Sequence, residues 1–146
     1  VLLVVVLGGL LLGRTTWSNY EAYFRHYYEN YRRSARNASD KAQVIRGFGD
    51  SMGSVYDAHY IGTAHWTDHR AIALMLGDMT WNNLIMNMTE AEPHLAEPRN
   101  RLYIYKEVNK EAEQWLQEHY PHGSLSRFEA SIPDRDFMVY LAPAHP

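Results

Sequence analysis

Apolar and polar positions along this chain fall into blocks of different period. Residues 1–13, VLLVVVLGGLLLG, are apolar without a break and end at Arg14. Such a run is too short to cross a bilayer, which takes about 20 helical residues. It reads in three ways: a secretory signal, a buried strand pair hinged at Gly8-Gly9, or the end of a membrane helix. A signal would need a basic leading region, which this run does not show. The end of a transmembrane helix fits best, because Arg14 then stands where a cation can snorkel to water. Trp17 and Tyr20 follow at the depth of an aromatic belt. With one flank absent, charge does not orient this span. The expected division is residues 1–13 as the end of a transmembrane helix and residues 14–146 as a soluble α/β domain.

Over residues 17–36 the period becomes helical. Trp17, Tyr20, Phe24, Tyr27 or Tyr28, and Tyr31 recur at steps of three and four, opposite Glu21, Arg25, Glu29 and Arg32. A stripe of this kind is expected to face a core, with a membrane-surface or sugar-stacking face as the other reading. Asn37-Ala38-Ser39-Asp40 supplies cap residues, and a second helix follows to about Met52 with Ala42, Val44, Ile45 and Phe48 inward. Gly47, Gly49 and Gly53 close this helix and precede a strand. A phosphate-binding turn needs the reverse order, so Gly53 reads instead as the residue after a C-cap.

Residues 57–64, DAHYIGTA, read as a strand, and residues 68–76 as a helix stopped at Gly77-Asp78. A short strand is expected in WNNLIMNM and a polar surface loop in TEAEPHLAEPRN, which holds two prolines. RLYIY is a strand. NKEAEQWLQEHYPHG is a helix with Asn109 as its cap and Pro121 and Gly123 beyond its end. SLSRFEAS and RDFMVYLAP form a hairpin around Pro133-Asp134. This succession predicts an α/β fold: a small, mostly parallel sheet with flanking helices and an antiparallel C-terminal hairpin.

Composition narrows the function classes. A length of 146 residues with 46% hydrophobic and 21% charged residues is that of one folded domain. The formal net charge of -3, with both signs mixed, argues against a nucleic-acid surface. The chain contains no cysteine, which excludes disulfides, thiol catalysis and cysteine-based zinc sites. No Gly-x-Ser-x-Gly elbow or other nucleophile–base pair stands at a recognisable spacing, so no catalytic residue is assigned. Asn37-Ala38-Ser39 and Asn87-Met88-Thr89 match the glycan-acceptor triplet, a match that chance explains better than function.

The densest polar chemistry lies in GTAHWTDHRAIALMLGD, residues 62–78. It falls where a strand ends and a helix begins, the place where open α/β sheets bind ligands. Trp66, Asp68, His69 and Arg70 are the candidate ligand-binding residues: an indole to stack on a sugar ring, and partners for hydroxyls or a phosphate. The competing reading is purely structural, with Asp68 capping the helix, Trp66 covering the sheet end and Arg70 meeting a carboxylate. A metal site is not expected. His65 and His69 are four apart, but His65 falls in the loop and a His-Glu-x-x-His arrangement is missing. No cofactor is implied.

Taken together, the apolar run, YEAYFRHYYENY, AQVIRGFGDSMG, HWTDHRAIALMLGD, WNNLI, LYIYKEVNKEAEQWLQEHYPHG and RDFMVYLAP resemble a known arrangement. It is similar to the soluble C-terminal region that follows the last membrane helix in bacterial polytopic glycosyltransferases. These are relatives of the family 39 protein mannosyltransferases that use polyprenyl-phosphate sugars. The resemblance covers nearly the whole chain, with Trp66, Asp68, Arg70, Ala71, Ile72 and Ala73 as its centre; His65 departs from the aromatic residue more usual there. It implies an accessory extracytoplasmic domain, non-catalytic in isolation, at the cell membrane. Its neighbours would be the membrane, the transmembrane part of the same protein, and a lipid-linked sugar or glycan acceptor. Two other classes compete: a membrane-tethered ligand-binding or sensor module with an α/β pocket, and a free-standing soluble hydrolase.

Overall fold

A computed structural model describes residues 2–34, 37–63 and 68–144. They separate into two units, Val1–Ala35 and Arg36–Pro146.

The described residues of the first unit are helical throughout: α1 (Leu2–Tyr20), a π-helical turn (Glu21–His26) and α2 (Tyr27–Ser34). The apolar run is therefore helix and not a strand pair, and the space around Gly8 and Gly9 is open. The aromatic stripe does not face a core. Trp17, Tyr20, Tyr23, Phe24, Tyr27, Tyr28 and Tyr31 are all exposed, because a single helix has no second layer to cover them. No helix among the described residues is long and apolar enough to cross a membrane.

The second unit is α/β. Its elements are α3 (Ala38–Ser51), β1 (Ala58–Ile61), α4 (His69–Leu76), β2 (Leu84–Ile85), β3 (Arg101–Tyr105), α5 (Lys110–His119), β4 (Ser124–Phe128) and β5 (Phe137–Ala142). The sheet order is β2-β1-β3-β5-β4. β1 runs parallel to β2 and β3, while β5 is antiparallel to β3 and to β4, its hairpin partner. The fold class expected from the pattern is present, parallel at one side of the sheet and antiparallel at the other. Every residue of β1 and β3 is buried, since helices cover both faces of the sheet centre.

On one face Ala58, Tyr60, Leu102, Ile104 and Phe137 pack with Ala42, Ile45 and Phe48 of α3, Ile72 and Ala73 of α4, and Trp81. The Trp81 indole donates to the carbonyl of Val55 at 2.9 Å. Lys41 extends its Nζ over the Tyr60 ring, 4.3 Å from the centroid. Asp40 is buried, and its carboxylate accepts from the N–H and hydroxyl of Ser131 at 2.9 Å. On the opposite face Ile61, Tyr103, Tyr105, Tyr140 and Ala142 pack with Ala112, Leu116 and Tyr120 around α5.

Met88 and Ala91 complete that second face; Ala91 belongs to the segment expected to be loop, and Met88 to the stretch before it, expected to hold a short strand. Residues Met88–Ala96 instead form a 3-10 helix. Three residues per turn bring Met88 and Ala91 onto one side, where both are buried. That period matches neither an α-helix nor a strand, so the alternation of polar residues hides it. Gly53 follows the C-cap Met52, as expected. A Cβ there would lie 2.5 Å from the Phe48 ring, so core packing and not phosphate accounts for this glycine.

Asn37 is 4% exposed, and its Nδ2 donates to the carbonyl of Arg135 at 2.5 Å. The amide nitrogen that would carry a glycan is thus engaged inside the folded domain.

Candidate functional site

The polar corner leads into α4. Asp68 stands at the N-cap of that helix, and its Oδ1 accepts from the Ala71 N–H at 3.1 Å. A carboxylate there satisfies one of the donors that a helix start leaves open and lies at the positive end of the helix dipole. The helix ends at Gly77, whose φ of 76° is the left-handed conformation that favours glycine. The Arg46 guanidinium donates to the carbonyl of Met75, tying α3 to α4. The capping role weighed for Asp68 is therefore present in the structure. His69 is half-buried, and its Nδ1 is buried without a hydrogen-bond partner; Arg70 is exposed. Trp66 and His65 lie outside the described residues.

Removing the cap gives a direct measure of its role. Asp68→Ala is expected to lower stability by about 1 kcal/mol, and Asp68→Asn or Asp68→Ser to restore most of it. Thermal denaturation of the three variants reads this out. An alanine variant as stable as the parent removes the capping account.

A second polar cluster forms beneath the 3-10 helix, from residues far apart in sequence. His59 of β1 and Tyr103 of β3 are register partners, and their rings stack at 5.4 Å between centroids. The His94 ring, from the 3-10 helix, lies 4.4 Å from His59. Arg101 is 2% exposed and gathers the cluster. Its Nε donates to the His94 carbonyl at 3.2 Å and its Nη2 to Glu97 at 2.8 Å, while Nη1 stands 3.9 Å from Asp57. A guanidinium bonded to the carbonyl of His94 places positive charge near the end of the 3-10 helix, where it is favourable. Tyr103 and Tyr120 share a hydrogen bond at 3.2 Å, and the Tyr140 hydroxyl donates to the Tyr120 carbonyl at 2.6 Å.

Protonation states decide what this cluster can do. Burial, then the neighbouring His94 and Arg101, pull His59 down to about 3. His94 is shifted downward too, first by burial and then by Arg101. Burial pushes the Tyr103 hydroxyl up, helped by Tyr120. Glu97 is held below its ordinary range by the hydrogen bond and charge of Arg101. An imidazole this acidic is a poor base at neutral pH, where useful general bases titrate near 7. A tyrosine pushed upward is no nucleophile. The cluster thus joins the sheet to the 3-10 segment, with Arg101 of β3 bonded to the His94 carbonyl and to Glu97.

The structure sets His59 against His94 and Tyr103 and apart from the polar corner. Nothing in the sequence pattern marks His94, Glu97 and Arg101 as a set, because only the fold brings them under one strand pair. Among the described residues no group of three or more side chains is placed to hold a metal ion. No family model, no curated protein and no solved structure matches this chain.

Proposed function

We propose that this chain is a membrane-anchored accessory domain, without catalytic machinery of its own, that serves a membrane glycosyltransferase using a polyprenyl-phosphate sugar. One observation carries the anchoring. The side chains of Leu3, Val4, Val5, Val6, Leu7, Leu10, Leu11 and Leu12 are between 52% and 73% exposed on one continuous helix. A helix that is apolar all round and uncovered calls for a lipid or protein environment that water does not supply. Its apolar part, Leu2 to Leu12, measures about 16 Å at the usual rise, roughly half of a hydrocarbon core. The accessory role is supported by the α/β unit, where Asp68 caps a helix and the histidine–arginine cluster joins the sheet to the 3-10 segment. The transferase, its sugar class and the extracytoplasmic side rest on the resemblance of the motifs quoted above.

Sugar transfer is the test. The isolated chain, given a polyprenyl-phosphate sugar and an acceptor, is expected to turn nothing over. Membranes carrying the intact gene product are expected to be active, and the reading frame upstream of Val1 to encode several apolar segments of about 20 residues. Turnover by the isolated chain, or an upstream frame with no further spans, overturns the reading.

The second reading, a tethered ligand-binding module, is favoured by one feature. His69 presents a buried, unpartnered ring nitrogen at the start of α4, beside the exposed Arg70. A frame with a single upstream span would shift the balance to it.

A further inference from the structure

The charges of this chain are sorted by unit. Residues 1–35 carry four arginines, Arg14, Arg25, Arg32 and Arg33, against two glutamates. Residues 36–146 carry ten basic against fifteen acidic side chains. The overall net charge of -3 therefore conceals a basic helical unit joined to an acidic α/β unit. A surface of negative charge attracts the first and repels the second.

The same helix holds the exposed aromatic rings. Tyr20 and Phe24 lie 5.1 Å apart between centroids, and Tyr23 stacks on Tyr27 at 6.2 Å. These contacts make rows of rings along the helix, continuous with the apolar side chains of α1. Some polar side chains of this helix are satisfied within the helix itself. The Thr15 hydroxyl donates to the Leu11 carbonyl at 2.8 Å, and Arg25 pairs with Glu21 at 3.3 Å. Groups satisfied in this way enter a layer poor in water at low cost. Aromatic rings and arginines directly after an apolar helix are the side chains that seat in a bilayer headgroup layer.

We propose that residues 14–34 form an interfacial segment that binds anionic phospholipid, its arginines meeting lipid phosphates and its aromatic rings seated among the headgroups. This rests on the membrane anchor proposed above and adds to it the class of lipid. Arginine suits the role because its planar fork bonds phosphate oxygens in pairs. The acidic α/β unit contributes nothing to this attraction, so binding resides in the helical unit.

Flotation of the full 146-residue chain with vesicles tests this. Phosphatidylcholine vesicles are compared with an equimolar mixture of phosphatidylcholine and phosphatidylglycerol. The chain is expected to partition at least about tenfold more strongly to the anionic vesicles, and high salt to remove most of that preference. Combining Arg14→Gln, Arg25→Gln and Arg32→Gln is expected to weaken anionic binding by about fivefold per arginine. Trp17→Ala with Phe24→Ala should weaken binding to both vesicle types. These substitutions lie outside the α/β unit, whose thermal transition serves as the check that the chain remains folded. Equal binding to both lipids overturns the inference and leaves the anchor standing. Binding to neither vesicle overturns the anchor together with the inference.

Discussion

Trp81→Ala is expected to destabilise the α/β unit by about 3–5 kcal/mol, the usual cost of emptying a buried aromatic site. Trp81 is 1% exposed and packs within the cluster of Ile45, Phe48, Tyr60 and Ile72. Its indole also donates to the Val55 carbonyl at 2.9 Å, a bond that truncation removes while the Ala58 N–H still reaches the same oxygen. The loss is a large share of the roughly 5–15 kcal/mol that holds a domain together. Trp81→Phe separates the two contributions, because it keeps most of the ring volume and removes only the donor. It should cost about 1–2 kcal/mol. Urea denaturation of both variants checks the ordering. An alanine variant within about 1 kcal/mol of the parent would mean that Trp81 is not the keystone of this face.

Acid is expected to loosen the same unit through the opposite face. His59 is 4% exposed and titrates near 3 in the folded chain, against 6.5 when unfolded. Below 6.5 the unfolded chain takes up a proton that the folded chain refuses. Stability is therefore fully present above that value and is lost as pH falls from about 6.5 towards about 3. The slope is about 1.4 kcal/mol per pH unit, and the whole loss from His59 reaches roughly 5 kcal/mol. His94, shifted the same way, adds to it. Burial makes the protonation of His59 costly first, and the neighbouring His94 and Arg101 add to it. His59→Phe keeps a ring against Tyr103 and His94 but cannot titrate, so its stability should fall much less over this range. Chemical denaturation of both proteins at steps from neutral to acidic pH decides the matter. Parallel curves would show that other groups carry the acid sensitivity.

How far these features could be read in advance depends on how local their causes are. Asp68 and Asn109 announce helix starts because a cap acts on N–H groups only three residues away, and both accept such bonds in the structure. Strand β3 is legible as RLYIY because a short apolar run with β-branched and aromatic residues bears on a single buried strand. The 3-10 helix escapes this reading, since its period belongs to neither common element and its burial is created by the sheet beneath it. The His59–His94–Arg101 cluster escapes for the same reason at longer range. Its members come from a strand, a 3-10 helix and a second strand, and their shifted protonation follows from burial that no single segment can impose.

By itself, then, the chain's pattern determined most of the helical and strand segments, where most helices are capped, and that the class is α/β. These follow from forces acting within a turn or along a strand. Only the tertiary structure decided the rest: that the aromatic stripe stays exposed, that Asp68 spends its carboxylate on a helix start, and that His59 is held neutral against His94 and Arg101. Those outcomes depend on which surfaces meet, and desolvation and charge pairing arise only when distant segments close over one another.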